Sequence, residues 1–346
     1  MKRKIILSLT LLMMVISCEG PETVVTNIVS NDGSVLRKAE LKNTTDELNL
    51  SDFSVPVDST WKMRDSINIS DKGDTTWFLL AEKLFKSADE INEAYLSDTG
   101  KNSNVSRIAT FQHRFKWFTS ELRYTEKCTK SFSHGYPAGK FLTPEEIELS
   151  KLPLSIRKEK LAGADSLKYS VLADSLDSHT ERWLLSSLIS EWIAGASFLC
   201  TASGKDTLFS DILRSHELDF NLYTLTDENF DSTCVAILGD SIFQKYKPEL
   251  DSTMTIAEQK FNRSFSFKNY TMKTVMPSKV MATNGYPMQG GEIAWPVNGD
   301  LFLTDDYVMW AESREVNYWA IFLTALVLVT VPLEIRKHTR KRKDTP

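Results

Sequence analysis

Apolar and polar residues alternate along this chain with a spacing that changes twice. Near the start, "TVVTNIVSNDGSVLRKAEL" holds two β-prone runs on either side of Asn31, Asp32 and Gly33. These three residue types tolerate the positive φ of tight hairpin turns, so the stretch predicts a β-hairpin. Residues 40 to 58 are polar and follow no period. "STWKMRDSINISDKGDTTWF" predicts another strand, a turn at Gly73 and the approach to a helix. In "FLLAEKLFKSADEINEAYL", Leu80, Leu84, Ala88, Ile91 and Tyr95 recur at steps of three and four, which predicts an amphipathic helix. "RIATFQHRFKWFTSELRYTEKC" fits two templates. Phe111, Phe115, Phe118 and Leu122 suit a helix face; Phe115, Trp117 and Thr119 suit a strand, which the aromatic and threonine content favours. "SFSHGYPAGKFL" reads as a loop by its Gly and Pro.

From about 143 to 263 the spacing is mainly helical. "TPEE" has the features of a helix start, with Thr143 as N-cap, Pro144 in the first turn and Glu146 three residues on. "ADSLKYSVLADSLDSHTERWLLSSLISEWIAGASFLC" predicts one long helix or two in succession, with Leu185, Leu188, Trp192 and Ala196 on its apolar face and a break at Gly204. "TLFSDILRSHEL" and "DENFDSTCVAILGDSIFQKY" predict further helices, and a last one follows Pro248 toward Phe261. After Phe265 the period becomes two, and "FSFKNYTMKTVMP", "GEIAWPV" and "DLFLTDDYVMWAES" predict strands. Strands near both ends with helices between them predict an α+β fold. In that fold one antiparallel sheet joins N- and C-terminal strands, and residues 143–263 form a large helical insertion. The strand-rich parts are then 18–142 and 264–316.

The two ends carry a different signal. Lys2, Arg3 and Lys4 precede the apolar run "IILSLTLLMMVI", which is too short for a typical spanning helix and has the length of a signal-peptide core. Val15 and Ser17 stand at −3 and −1 to Cys18, so residues 1–17 are expected to be a lipoprotein signal peptide and Cys18 the fatty-acid (palmitate) site. An ordinary secretory peptide with an incidental cysteine is the alternative. Asn317 to Leu333 contains no charge. A transmembrane helix is expected over 317–335, with Tyr318 and Trp319 at its outer interface. Residues 336–346 hold Arg336, Lys337, Arg340, Lys341, Arg342 and Lys343, a basic tail that the positive-inside rule leaves in the cytoplasm. The expected location is a bacterial inner membrane, crossed once, with the ectodomain in the periplasm.

Charge narrows the partners. Setting aside the three basic residues of the start, the six of the tail, Glu334 and Asp344, the chain's 41 basic and 46 acidic residues become 32 and 44. An ectodomain near −12 has no broad basic face for nucleic acid or for anionic lipid. With Cys18 lipidated, Cys128, Cys200 and Cys234 remain, an odd number with no CxxC. One disulfide is open to an exported chain, but the spacing does not select the pair. Clustered Cys and His for structural zinc are missing.

Catalytic signatures are sparse. The chain contains neither G-x-S-x-G nor H-E-x-x-H. "ASGKDT" has Asp206 where a phosphate loop needs Ser or Thr, and "SDKGDTT" lacks EF-hand spacing. His113, His134, His179, His216 and His338 have no partner at metal-helix spacing; His134, in a loop, is the best catalytic candidate among them. The densest polar-aromatic stretch is "HRFKWFTSELRYTE". Arg114, Trp117, Arg123 and Tyr124, with His134, form the candidate binding surface, since Trp, Tyr and Arg dominate hot spots. Glu121 and Glu126 are a candidate carboxylate pair for glycoside hydrolysis. No catalytic residue, metal site or cofactor is assigned.

"VSNDGSVLRKAEL", followed far downstream by "TVMPSKVMATNGYPMQGGEIAWPV" and an apolar terminal helix, resembles the LppM-like family of bacterial lipoproteins. The resemblance covers the first hairpin and roughly residues 270–335, and the helical block departs from it. It implies a binding or envelope role. Asp-Ser/Thr followed by Ile, Leu or Thr recurs at Ser59, Ser66, Thr75, Ser166, Ser175, Thr207, Ser232, Ser241 and Ser252. That pattern is similar to the O-glycosylation acceptors of exported Bacteroidota proteins, although Asp and Ser also favour turns and helix caps. Asn104 and Asn269 stand in Asn-x-Ser/Thr sites that would suit a eukaryotic type I glycoprotein; the cysteine at the cleavage point favours the bacterial reading. The expectation is a non-enzymatic cell-envelope lipoprotein whose ectodomain binds an envelope protein or lipid. A cell-wall or glycan hydrolase and a structural component of a membrane complex are the alternatives.

Overall fold

The computed structural model of the chain describes residues 21–46, 48–70, 73–131, 135–151, 166–202 and 230–343. Within them lie two sheets and six α-helices. β1 (Glu22–Val29) and β2 (Val35–Asn43) form the predicted hairpin, pairing from Glu22 with Lys42 to Val29 with Val35. Its turn depends on Gly33, at φ +86°, where an added Cβ would lie 2.6 Å from the Phe111 ring. β3 (Lys62–Ile69) and β4 (Thr75–Phe85) form a second hairpin.

The helix expected from Phe78 onward is a strand as far as Phe85. Leu80 and Leu84 share a face in a strand as well as in a helix, because a step of four is two periods of two. Pairing with β2 from Trp77 to Phe85 decides between them. Only Ala88–Leu96 is helical (α1), capped by the Ser87 hydroxyl, which accepts from the Glu90 amide. Its buried face is Ala88, Ile91 and Tyr95. The ambiguous aromatic stretch is a hairpin, β5 (Arg107–Lys116) and β6 (Thr119–Cys128).

Beyond the helical region come β7 (Tyr270–Val275), β8 (Val280–Thr283), β9 (Tyr286–Pro287), β10 (Glu292–Val297) and β11 (Tyr307–Val316). Sheet A has seven strands in the order β3-β4-β2-β1-β7-β10-β9, and sheet B four in the order β5-β6-β11-β8. The terminal parts of the chain therefore meet in two sheets rather than one. In sheet B the joint is antiparallel, β6 with β11. In sheet A it is parallel, β1 with β7, where the expectation was antiparallel. A parallel pair needs a crossover connection, and the chain between β1 and β7 contains the whole helical block. The sheets pack face to face. Val25, Leu41, Phe85, Tyr124, Met272, Trp295 and Met309 share their core.

The helices form a second core. α2 (Pro144–Ser150) starts with the predicted capping box of Thr143 and Glu146. α3 (Ser166–Ala202) is one continuous helix that buries Trp183, Leu188, Trp192 and Ala196, while Leu185 is only half-buried. α4 (Phe230–Leu238) and α5 (Asp240–Phe265) are divided at Gly239, at φ +78°. Pro248 lies inside α5 instead of preceding a helix. It removes one backbone donor, but Phe243, Tyr246, Leu250, Met254 and Phe261 bury the helix on both sides of it. The Trp192 indole donates to the Leu250 carbonyl at 3.1 Å and fastens α3 to α5. "TLFSDILRSHEL" lies outside the described residues. Phe302 sits in the sandwich core and Leu303 in the helical core, so adjacent residues join the two.

β6 leads from Thr119 to Cys128, and the helical block follows the Cys128 end, where the Ser131 amide meets the Phe302 carbonyl at 2.9 Å. At the Thr119 end, Val316 of β11 runs straight into α6 (Tyr318–Lys343). Nine strand steps, about 30 Å, separate the two ends.

Glu146 is buried at the start of α2. It accepts from the Thr143 amide at 2.7 Å and from the Ser175 hydroxyl, and it lies 2.9 Å from His179 Nδ1. Burial alone would raise its pKa, but these partners outweigh it and hold the carboxyl down to about 2. A depressed carboxyl stabilises the fold above its unfolded pKa, and that contribution is lost as pH falls from about 4.5 toward 2. Helical-core unfolding followed by circular dichroism is therefore expected to show an acid limb in this window, flattened in Glu146→Gln. Cys128 and Cys234 are free and buried in separate cores, so they do not form the disulfide that export allowed between them; the side chain of Cys200 lies outside the description. Burial pushes both thiols up to about 12. Both should resist alkylation at pH 8 in the native protein and react fully once it is unfolded, as read by mass spectrometry.

Candidate functional site

The residues chosen from "HRFKWFTSELRYTE" all fall on the β5–β6 hairpin, and the two-residue period of a strand separates them. On β6, Ser120, Leu122, Tyr124, Glu126 and Cys128 face the core, and the residues between them face out. Tyr124 is buried on the core face of β6, not on the exposed face with Arg123. Arg123 points the other way. It pairs with Glu312 at 2.7 Å, and its guanidinium lies 4.4 Å from the Trp310 ring. Arg114 is exposed on β5, and Trp117 stands at the hairpin tip. His134 and Cys18 lie outside the described residues. Glu121 and Glu126, the candidate carboxylate pair, face opposite sides of β6: Glu121 outward with Lys116 and Arg314, Glu126 inward. Carboxylates divided by a sheet cannot flank one glycosidic bond.

Glu126 belongs to a closed polar network between the sheets. The Arg37 guanidinium pairs with Glu126, donates to Asn27 Oδ1 at 2.8 Å, and donates to the Tyr95 hydroxyl at 2.7 Å. Tyr95 and Tyr124 each donate to the carboxylate, at 2.7 and 2.6 Å, and Asn27 Nδ2 donates to it at 2.8 Å. Burial disfavours the arginine's charge, yet the neighbouring carboxylate holds its pKa above the usual value; burial drives the Tyr95 and Tyr124 hydroxyls well up. The adjoining space lined by Tyr124, Glu126, Met272, Thr274, Trp295 and Met309 is too tight for a water molecule. The network binds sheet A, α1 and sheet B to one another and admits no ligand. Sequence reasoning missed it because its five members are scattered from Asn27 to Glu126. The available signal was phase: Arg37 and Glu126 occupy apolar-face positions of alternating strands.

The other assembly is at the sandwich's opposite end, where the hairpin tip meets α6. Asn317 is its hub. Its Nδ2 donates to the Lys116 carbonyl at 2.8 Å, its Oδ1 accepts from the Ser120 hydroxyl at 3.0 Å, and its backbone N–H donates to the Phe118 carbonyl at 2.9 Å. The Trp117 indole donates to the Thr324 hydroxyl at 2.7 Å. Trp319 stacks on Phe115, centroids 6.0 Å apart and planes within 14°, and meets Trp117 edge-on at 5.7 Å. Despite these contacts Phe115, Trp117, Phe118, Tyr318 and Trp319 all stay exposed. This is the candidate site, since it joins a broad aromatic surface to a helix of membrane-spanning character. No group of His, Cys, Asp and Glu suited to a metal occurs among the described residues.

Breaking the inter-sheet pair from one side leaves a buried charge without its partner, which costs about 3–5 kcal/mol. Glu126→Ala is expected to lower stability by about that amount in urea unfolding, whereas Arg37→Met combined with Glu126→Leu should recover much of the loss.

The chain matches no protein-family model, no curated protein and no solved structure.

Proposed function

We propose that this chain is a single-pass lipoprotein of the bacterial cell envelope, whose exported domain is a non-catalytic binding module for an envelope protein or lipid. The observation that carries the reading is the state of α6. Its 18 residues Tyr318–Ile335 are long and apolar enough to cross a membrane, and only 6% of them are buried by the rest of the protein. A soluble core helix of that composition would be covered, whereas hydrocarbon covers this one without cost. The basic run after Ile335 supports a cytoplasmic C-terminus. The helical block joins the sandwich at the end remote from α6.

The geometry sets a condition on the lipid. Thr23 lies beside Ser54, whose carbonyl accepts from Arg107 at 2.9 Å, so β1 starts at the Arg107–Cys128 end of sheet B. Four residues from Cys18 to Glu22 extend at most about 14 Å. A fatty acid on Cys18 shares the bilayer of α6 only if the sandwich lies along the membrane surface.

Fractionation of native membranes tests the reading. The full chain is expected to resist alkaline carbonate extraction, to incorporate labelled fatty acid that Cys18→Ser abolishes, and to retain specific envelope partners on detergent pull-down. Release into the soluble fraction without fatty acid would refute it.

A further inference from the structure

We propose that the tip of the β5–β6 hairpin is a second membrane contact, inserted into the headgroup layer of the bilayer that α6 crosses. The inference rests on the spanning role of α6. The occupant of this aromatic surface is fixed by continuity. The hairpin tip lies against the first turns of α6, and the Trp117 indole reaches Thr324, seven residues into the apolar stretch that follows Asn317. Seven helical residues advance about 10 Å. If the hydrocarbon begins near the first turn of α6, the hairpin tip bonded to Asn317 lies in the headgroup layer and the Trp117 indole dips from it past that boundary.

The chemistry of the tip suits that layer. Tryptophan and tyrosine concentrate where headgroups meet acyl chains, because their rings are apolar and one edge is polar. Phe115, Trp117, Phe118, Tyr318 and Trp319 supply such a belt from two separate elements, with Val316 beside them. Lys116 sits between Phe115 and Trp117 in the chain, half-exposed and paired with Glu121, a long side chain that can keep its ammonium in water. Farther along the hairpin the exposed surface turns polar, with Gln112, His113 and Arg114 on β5 and Lys127 on β6 paired with Asp306. Exposed aromatic surface is thus concentrated at the end that α6 leaves from.

The consequence is orientation. A single helix joined by a flexible linker would let its domain tumble over the membrane. Here β11 passes into α6 through Asn317 alone, and that residue is hydrogen-bonded to four backbone or side-chain groups of the hairpin tip. With two elements in the bilayer and a polar hub between them, sheet B holds a set angle to the membrane and carries the helical block at a fixed height.

The test is photolabelling of the full chain in phosphatidylcholine nanodiscs, using a phospholipid with a diazirine near the headgroup end of its acyl chain, followed by peptide mapping. Lipid adducts are expected both on the hairpin peptide containing Phe115 to Phe118 and on the peptide containing Tyr318 to Leu333. Trp117→Ser with Phe118→Ser should lose most hairpin adducts and keep those of α6, with the same thermal midpoint; Trp117→Phe should keep both. Adducts on α6 without any on the hairpin would overturn this proposal and leave the spanning helix standing. Absence from both would overturn the two together. Hairpin crosslinks to another protein's helix in native membranes, with no lipid adducts there, would assign the surface to that helix instead and also refute the proposal.

Discussion

Sheet A contributes Asn27 and Arg37, sheet B contributes Tyr124 and Glu126, and all four close around one ion pair that water does not reach. The rest of the sandwich depends on that arrangement. Removing two charges from water costs several kcal/mol for each, and attraction between them repays it only when every remaining donor and acceptor is met. Tyr95 of α1 completes the set, so the helix is fixed by the same condition that fixes the sheets. The pair also enforces register. A slip of one residue in β2 or β6 would turn Arg37 or Glu126 to the outer face and leave the other charge buried alone.

The two cores divide the labour of the molecule. The sandwich is closed and tightly packed, and its charged centre is fully engaged with itself. The helical core is attached to it through Phe302 and Leu303, adjacent residues that face different interiors. Asn104 adds a second fastening, its side-chain amide donating to the Arg263 and Ser266 carbonyls where α5 ends. This arrangement leaves α6 at one end of sheet B and the helical core at the other.

Several local features were legible because short-range chemistry governs them. The hairpin at Gly33 follows from the conformational freedom that its turn requires, and the capping box at Thr143 and Glu146 from the spacing of two side chains. The helix assigned to Phe78–Phe85 failed because Leu80 and Leu84 satisfy both periods; only hydrogen bonds from β2 and β3 distinguish them. Pro248 was read as a boundary by its local rule, and the apolar face of α5 overrides that rule by packing against α3. The candidate surface of Arg114, Trp117, Arg123 and Tyr124 was a cluster in sequence and is divided in space: Arg114 and Arg123 share the outer face of the hairpin, Tyr124 turns into the core, and Trp117 stands at the tip beside α6.

By itself, the sequence determined the strand-helix-strand order, the apolar stretch after Asn317 and the basic run behind it. These depend on composition and on periods no longer than a few residues. Tertiary structure alone decided that the terminal strands meet in two sheets, that β1 and β7 run parallel, that Glu121 and Glu126 part company, and that Arg37 finds Glu126. The parting of Glu121 and Glu126 follows from the two-residue period once β6 is known to be a strand; the other outcomes join residues far apart in the chain, and local spacing does not name such partners.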